Sequence, residues 1–565
     1  MTDIGTNHQG NTPGPSSRAL VIGIDGATWD LLNPLIDSGM LPNIARLRDA
    51  GSWGILESTI PPVTASAWSS FYTGRTPGNH GVFDFRRRMG SDSMTRRWVT
   101  SGAIHGPKLW EILNAQNKKT GLVNLPLTFP PVEVNGYMIG GMPVPPARDD
   151  IALPSGLIDE IKRETGGYIS DVDLLRGESP DVNDPEKCFE FTKQVYRAVE
   201  SRGSATRYLI EKYPTDFTFL VFVVPDRLCH LFWQVMIPSE EMKPLADWEV
   251  KLQDELYGVM RKTDEEIGRI LEMYTDDDLV VIISDHGFGH LSEILKLNRL
   301  LEKLGYLKFL PLAEGGIRKK IGRILPEPVK KPLRTVLGLN RRKGNNGSAG
   351  QFDPYSLIDW SETMAYSGGS VEQGIFLNVN GREPEGTVLM GAEYHRIRDE
   401  IIAKLREAVH PDDNTPLFDW VEPRENVYSG TYTEQAPDIM YSLRGYSMVV
   451  GEDPEPPVIG PWSQPRAGYH RRDGILLVRG PMVEQGRNIS VTGIQNVAPT
   501  ILACMGLKSD QGMDGKIIRD ALKPDFLDRY PPSSDKFEGS GPETGICDSD
   551  SADMEDLLKG LGYLN

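Results

Sequence analysis

The sequence predicts an α/β fold, a doubly wound and mainly parallel sheet with helices on both faces, and three observations lead there. Three apolar runs of five to eight residues share one form: Ala19 to Ile24 ending at Asp25, Phe217 to Val224 ending at Pro225-Asp226, and Leu279 to Ile283 ending at Ser284-Asp285. Near-continuous runs of Val, Ile, Leu and Phe mark strands buried on both faces. Helix-period stretches at Trp29 to Ala50, Lys108 to Gln116, Pro185 to Lys212 and Trp248 to Met273 supply the alternation of strand and helix that winds such a sheet. Each run also stops at an aspartate. Ligands of open α/β sheets gather outside the carboxyl ends of the strands, so three carboxylates delivered there predict one shared site, although any single Asp is equally well explained as a turn opener or a helix cap.

The elements follow in chain order. Residues 1–17 are polar and rich in Gly, Asn, Thr and Pro, which predicts disorder; they show no basic start leading into an apolar stretch, so no secretory signal is read and a cytoplasmic location is expected. Pro61-Pro62 rule out an earlier helix, Ala65 to Tyr72 is helix-compatible and Gly74 stands where a helix stops, which places Thr64 at the N-cap. Residues 145–184 have weak periodicity and many Gly, Pro and Asp, and are read as a cap over the sheet edge. Residues 315–350 carry ten Lys and Arg against Glu327 alone, a basic insertion whose ordinary role is a solvated face and whose alternative is to meet an anionic membrane surface or another anionic ligand. Strand patterns return at Gly374 to Asn380 and Gly474 to Val478. Residues 18–525 thus read as one domain with cap and insertion, and 526–565 as a loose tail with a short amphipathic piece at Met554 to Leu564.

Composition narrows the function classes. With 565 residues, 39% hydrophobic and 25% charged, the chain is of ordinary globular type and long enough for a large core. No run approaches the roughly 18 apolar residues of a membrane span. Four cysteines lie far apart without a C-x-x-C pair, which argues against disulfides and thiolate zinc sites. A formal charge of −18 argues against general affinity for nucleic acid.

The histidines complete the candidate site. Asp226 and His230 are four residues apart, so both fall on one side of a helix that starts past a strand end. Asp285 and His286 leave a strand end together, and His470 lies in what reads as a Gly-flanked loop. With Asp25 this makes three Asp and three His. Oxygen and nitrogen donors without thiolate suit Zn²⁺ first, with Mn²⁺, Mg²⁺ or Fe as alternatives. His8, His105, His290, His395 and His410 are read as ordinary structural histidines.

These pieces together resemble the alkaline phosphatase superfamily, in its branch of type I phosphodiesterases and nucleotide pyrophosphatases. The likeness rests on Asp25-Gly26, the Thr64 segment with its Thr73-Gly74-x-x-Pro77-x-x-His80-Gly81 continuation, Asp226-x-x-x-His230, Ser284-Asp285-His286-Gly287, Gly468-Tyr469-His470 and the late Met513-Asp514-Gly515, in family order from Ile22 to about Gly515. The resemblance implies two divalent metal ions. It would place Asp226, His230 and His470 on one, Asp25, Asp285 and His286 on the other, and Thr64 on the second metal as the nucleophile that carries a phosphothreonine intermediate. It implies a phosphorylated small-molecule or nucleotide-like substrate, cleaved at a phosphodiester or pyrophosphate bond.

Some residues depart from that pattern. Where the nucleotide pyrophosphatases place a phosphate-binding asparagine, the ungapped register here has Phe85. Arg86, with Arg87 and Arg88, is the expected substitute phosphate donor, and Asn124, after another apolar run, is a second weak candidate. A sulfatase needs Cys or Ser where Thr64 stands, and the cofactor-independent phosphoglycerate mutases use serine. The alternatives retained are a phosphomonoesterase or phosphoryl transferase of the same superfamily and, in another class, a catalytically quiet anion- or membrane-binding protein.

Overall fold

The computed structural model describes residues 14–89, 92–144, 148, 150–172, 180–239, 242–310, 354–368, 373–451, 454–464 and 466–539. The basic insertion, all but the end of the N-terminal segment and the amphipathic C-terminal piece lie outside them.

The central sheet is built from β1 (Ala19–Ile24), β2 (Ser52–Glu57), β3 (Thr120–Leu125), β4 (Gly136–Gly140), β5 (Ala152–Leu153), β6 (Phe217–Phe222), β7 (Leu279–Ile283) and β8 (Asp473–Arg479), in the order β2-β8-β7-β1-β6-β3-β4-β5, with the two-residue strands Arg487–Asn488 and Thr492–Gly493 added on β2. The middle is parallel: β1 pairs with β6 from Ala19↔Phe217 to Ile24↔Phe222 and with β7 from Ala19↔Leu279 to Gly23↔Ile283. All residues of β1, β6 and β7 are buried, as uninterrupted apolar runs require. Because these three strands are neighbours in parallel register, their carboxyl ends bring residues 25, 226 and 285 to one edge. β8 runs antiparallel between β2 and β7.

The helices match the sequence pattern with two corrections. The stretch Trp29 to Ala50 is two helices, α1 (Trp29–Asp37) and α2 (Pro42–Ala50), because Ser38-Gly39 closes the first and Pro42 opens the second. Helix α3 runs Thr64–Thr73 and ends on Gly74 at φ 62°, the left-handed stop that glycine accepts, but its N-cap is Val63 and Thr64 is already helical. The later helices are α4 (Pro185–Lys212), α5 (Asp226–Met236) and α6 (Asp247–Leu271). In the described part of 145–184, β5 extends the sheet edge on β4, and helix Leu157–Thr165 packs on α4.

A second hydrophobic core, not separable in the sequence, lies between Leu295 and Val450. There an antiparallel sheet of Ala365–Ser367, Gly374–Leu377, Ile439–Leu443 and Phe418–Pro423 stands beside helix Ala392–Arg406. The buried Asp438 ties this unit together, accepting hydrogen bonds from Leu377 N, Arg382, Arg424 and Tyr394. The unit leaves and rejoins the main body through one strand pair, Gly287–His290 with Gly468–Arg471. It also leans on the segment around α3: Tyr428 Oη donates to Ile60 O, Tyr432 N donates to Gly78 O at 2.8 Å, and the Tyr432 and His105 rings stack at 4.0 Å. Among the described residues no helix is long and apolar enough to cross a membrane.

Candidate active site and metal centre

Three strand ends and one strand pair place every ligand predicted from the sequence. Asp25 follows β1, Asp285 and His286 follow β7, and Asp226 opens α5 with His230 one turn on. His470 is not in a loop: it stands in the strand Gly468–Arg471, opposite Phe288. That pairing comes from a segment some 180 residues upstream, which no local pattern around His470 displays. Gly26 has φ 73°, and a Cβ there would come 3.0 Å from the Asp226 Cα and 2.8 Å from Phe288, so Asp25 and Asp226 are adjacent only because residue 26 is glycine.

Two groups of donors result, Asp226 with His230 and His470, and Asp25 with Asp226 and His286, all buried. In the first, Asp226 Oδ1 lies 3.3 Å from His230 Nε2 and 3.4 Å from His470 Nε2, and the two nitrogens are 3.1 Å apart. Donors about 2.0–2.1 Å from a tetrahedral zinc stand about 3.3 Å from one another, so this triangle has the size of a coordination face. In the second, His286 Nε2 lies 3.6 Å from Asp25 Oδ1, 3.3 Å from Asp285 Oδ2 and 3.9 Å from Asp226 Oδ1. Asp226 therefore stands between the groups rather than in one alone. The His286 and His470 rings, stacked at 3.7 Å, bring the groups together.

The tautomers show what the cluster offers a ligand. His470 Nδ1 is 2.8 Å from Pro62 O and His286 Nδ1 is 3.1 Å from Gly287 O. A carbonyl only accepts, so both Nδ1 atoms carry the proton and both Nε2 atoms offer a bare lone pair to the cluster. Those lone pairs face carboxylate oxygens, and that of His470 also faces His230 Nε2. Asp25 Oδ1 and Asp285 Oδ2 are buried without a hydrogen-bond donor among the described residues. Burial, together with neighbouring carboxylates, raises Asp25 well above the ordinary range and Asp285 to about 7. Burial would raise Asp226 too, but His230 and Arg227 outweigh it and hold that carboxyl well below the ordinary range. Burial lowers His286 to about 4 and lowers His470 as well, so neither imidazole supplies the positive charge at neutral pH. Acceptors crowded on acceptors in a buried space are what divalent cations reconcile, and the donor set fits them.

Thr64 joins this cluster at the N-terminus of α3, its Oγ1 3.1 Å from His286 Nε2. Its hydroxyl thus faces the ligands. One turn on, Trp68 Nε1 donates to Asp25 Oδ2 at 3.3 Å, so the helix that carries Thr64 also orients a ligand. The model of the type I phosphodiesterase/nucleotide pyrophosphatase family matches residues 19–470, a span that contains every one of these residues.

The chain belongs to the type I phosphodiesterase/nucleotide pyrophosphatase family. Among solved structures it is similar to phosphonoacetate hydrolase from Sinorhizobium meliloti 1021 in complex with phosphonoacetate, at 14% identity and a TM-score of 0.51 over 86% of this chain and 95% of that one. It is also similar to murine ectonucleotide pyrophosphatase/phosphodiesterase 5, inactive and in complex with AMP, at 12% identity and a TM-score of 0.47 over 90% and 100%. No curated protein matches the sequence. As a member of this family the chain is a hydrolase of the phosphodiesterase and pyrophosphatase type, in a superfamily that depends on metal ions.

The two weak substrate contacts come out differently from the ligands. Asn124, the next-to-last residue of β3, has φ 60° and is fully buried, with its amide within 3.0 Å of Ser170 O and 3.1 Å of the Arg202 guanidinium. It is thus committed inside the protein, where it braces the loop before Val172. Arg86 lies over the Trp98 ring, its guanidinium carbon 4.8 Å from the centroid. Sequence reasoning missed Trp68, Arg227 and Asp171. The first two lie within motifs already singled out; nothing local marked Asp171.

Proposed function

We propose that this member of the family is a two-metal phosphohydrolase that cleaves phosphodiester or pyrophosphate bonds of a phosphorylated small molecule through a phosphothreonine at Thr64. The observation that supports it most is the pair of lone-pair-bearing Nε2 atoms, each fixed by a backbone carbonyl and each turned toward buried carboxylates beside one hydroxyl. His230, His470 and Asp226 would hold one cation, and Asp25, Asp285 and His286 the other, with Asp226 Oδ1 within reach of both. Bound there, divalent cations would supply Lewis-acid stabilisation of phosphoryl oxygens and favour the ionised form of a hydroxyl or water at neutral pH.

The residues of the chain do the rest. Thr64 Oγ1 gives up its proton and attacks phosphorus, the leaving group departs with its oxygen and takes up one proton, and the phosphoryl group stays on the threonine. Water then attacks the same phosphorus, its oxygen stays on the released phosphate product, and one of its protons restores the Thr64 hydroxyl. The N-terminus of α3 holds the positive end of the helix dipole beside this group, where phosphoryl charge sits well. Trp68 and Gly26 keep Asp25 in place while this happens.

The test is metal analysis of the purified protein with a substrate panel of bis-p-nitrophenyl phosphate, p-nitrophenyl phosphate and dinucleotides. Two bound cations with preference for the diester or the dinucleotides are expected. Turnover of the monoester alone would turn the reading to a phosphomonoesterase, and a metal-replete protein inert on the whole panel would count against hydrolysis of these bonds.

A further inference from the structure

Arg227 follows the shared ligand Asp226 directly, and its side chain is only 1% exposed. One terminal nitrogen donates to Asp226 Oδ2 at 2.5 Å. The other terminal nitrogen and Nε grip Asp171 with both oxygens, at 2.8 and 3.2 Å, and Met142 Sδ lies 3.0 Å from the same fork. The two oxygens of Asp226 thus have separate tasks: Oδ2 is held by the guanidinium, and Oδ1 faces His230, His470 and His286 at 3.3 to 3.9 Å.

A carboxylate clamped on one oxygen cannot swing to present both, so a cation would meet it through Oδ1. A guanidinium so close to a cation site opposes cation binding, and the Asp171 carboxylate offsets that charge. Asp171 is not there merely to anchor its loop. The loop is already held by Arg202, which donates to the carbonyls of Ile169 and Ser170. A planar fork is needed to bridge two carboxylates in this way, which an ammonium does not provide.

We infer that Arg227, with its charge offset by Asp171, is a positioning residue that turns Asp226 Oδ1 toward the imidazole cluster and so sets the cation affinity of the His230/His470 site. The inference rests on the two-metal reading above.

The test uses the full chain, stripped of metal and titrated with Zn²⁺ and with Co²⁺ against a chromophoric chelator. Wild type, Arg227→Met, Arg227→Lys, Asp171→Asn and, as a marker of the site, His470→Ala are compared. Asp171→Asn and Arg227→Met should weaken the cation site that His470→Ala removes by about 10- to 100-fold, and the other site, which Asp226 Oδ1 reaches at the longer distance of 3.9 Å from His286 Nε2, by less. Arg227→Lys should recover only part of the loss, and the Co²⁺ absorption of the affected site should shift. A purely structural role would lower thermal stability and leave both affinities alone. Should Arg227→Met fail to fold, Asp171→Asn and Arg227→Lys carry the test. Two wild-type affinities in folded Asp171→Asn and Arg227→Lys would overturn the inference while leaving the metal reading intact. A wild-type chain that takes up no cation would remove both.

Discussion

Replacing Thr64 by alanine removes one oxygen from a site that keeps all six of its other donors. Thr64 Oγ1 lies 3.1 Å from His286 Nε2, and Asp25, Asp226, His230, Asp285, His286 and His470 are held by contacts that do not pass through it. Cation content should therefore stay near wild type. The structural cost is a buried methyl and hydroxyl, about 1–2 kcal/mol. The chemical cost is far larger. Without the nucleophile a direct attack by water has to replace the two displacements, and a fall in kcat of at least about 10³-fold is expected, or about 4 kcal/mol at 1.36 kcal/mol per tenfold. Thr64→Ser keeps the hydroxyl and should stay within about tenfold, a difference of about 1.4 kcal/mol. Initial rates on bis-p-nitrophenyl phosphate give the first comparison. Acid quench with a phosphorus-labelled diester gives the second, with acid-stable label on the wild-type chain and none on Thr64→Ala. Turnover above a few percent of wild type in a contamination-free Thr64→Ala preparation, or label retained by it, would refute the role assigned to Thr64.

Three further outcomes follow from the same contacts. His470→Ala deletes a donor from one group only, so a chelator titration should lose one of two cations early and leave the Asp25, Asp285 and His286 group filled; simultaneous loss of both would contradict the separation. Gly26→Ala puts a Cβ 3.0 Å from the Asp226 Cα at a positive φ, which should cost about 1–2 kcal/mol in backbone strain and weaken cation binding as Asp226 is displaced; a wild-type melting curve with wild-type cation affinity would show the approach to be unimportant. In the second unit, burial would raise the Asp438 carboxyl, but Arg382, Arg424 and the Leu377 amide hold it below the ordinary range. Its folded value thus lies below its unfolded one, so it contributes stability in full above about pH 4–5 and loses it as the pH falls through the folded value. Asp438→Asn should cost about 3 kcal/mol at neutral pH, with a flatter decline in acid, and thermal melts of the two proteins between pH 3 and 7 measure both.

What could be read in the sequence was what a strand or a single turn of helix encodes by itself. Parallel strands buried on both faces have no polar alternation to obscure them, so Ala19–Ile24 and Leu279–Ile283 have the limits their apolar runs suggest, and the aspartates that end them are ligand candidates at once. Asp226 and His230 are close because of helix geometry alone. His470 is different: its strand exists only because Gly287–His290 lies opposite, so its local sequence looks like a loop. The same holds for the second core, whose strands of three to six residues are too short to show a period before their partners are known. Asn124 looked available because an amide after an apolar run is chemically able to bind phosphate; its hydrogen-bond partners, Ser170 and Arg202, come from segments far along the chain. Thr64 was displaced by one helical position, since cap preference says nothing of a hydroxyl with another use.

The strand pair Gly287–His290 and Gly468–Arg471 acts as a doorway through which the second unit enters and leaves the main body. Its two jambs follow His286 and contain His470, so the same hydrogen bonds that bring the ends of the long excursion together also set two imidazoles face to face. Closing so long a detour would be entropically unfavourable for a flexible chain, but a unit with its own core offers its ends already side by side. Among the described residues, changes inside the excursion reach the Asp/His cluster through this narrow frame and through contacts such as those of Tyr428 and Tyr432 beside α3. A lineage could exchange the contents of the unit while the Asp/His cluster keeps its place.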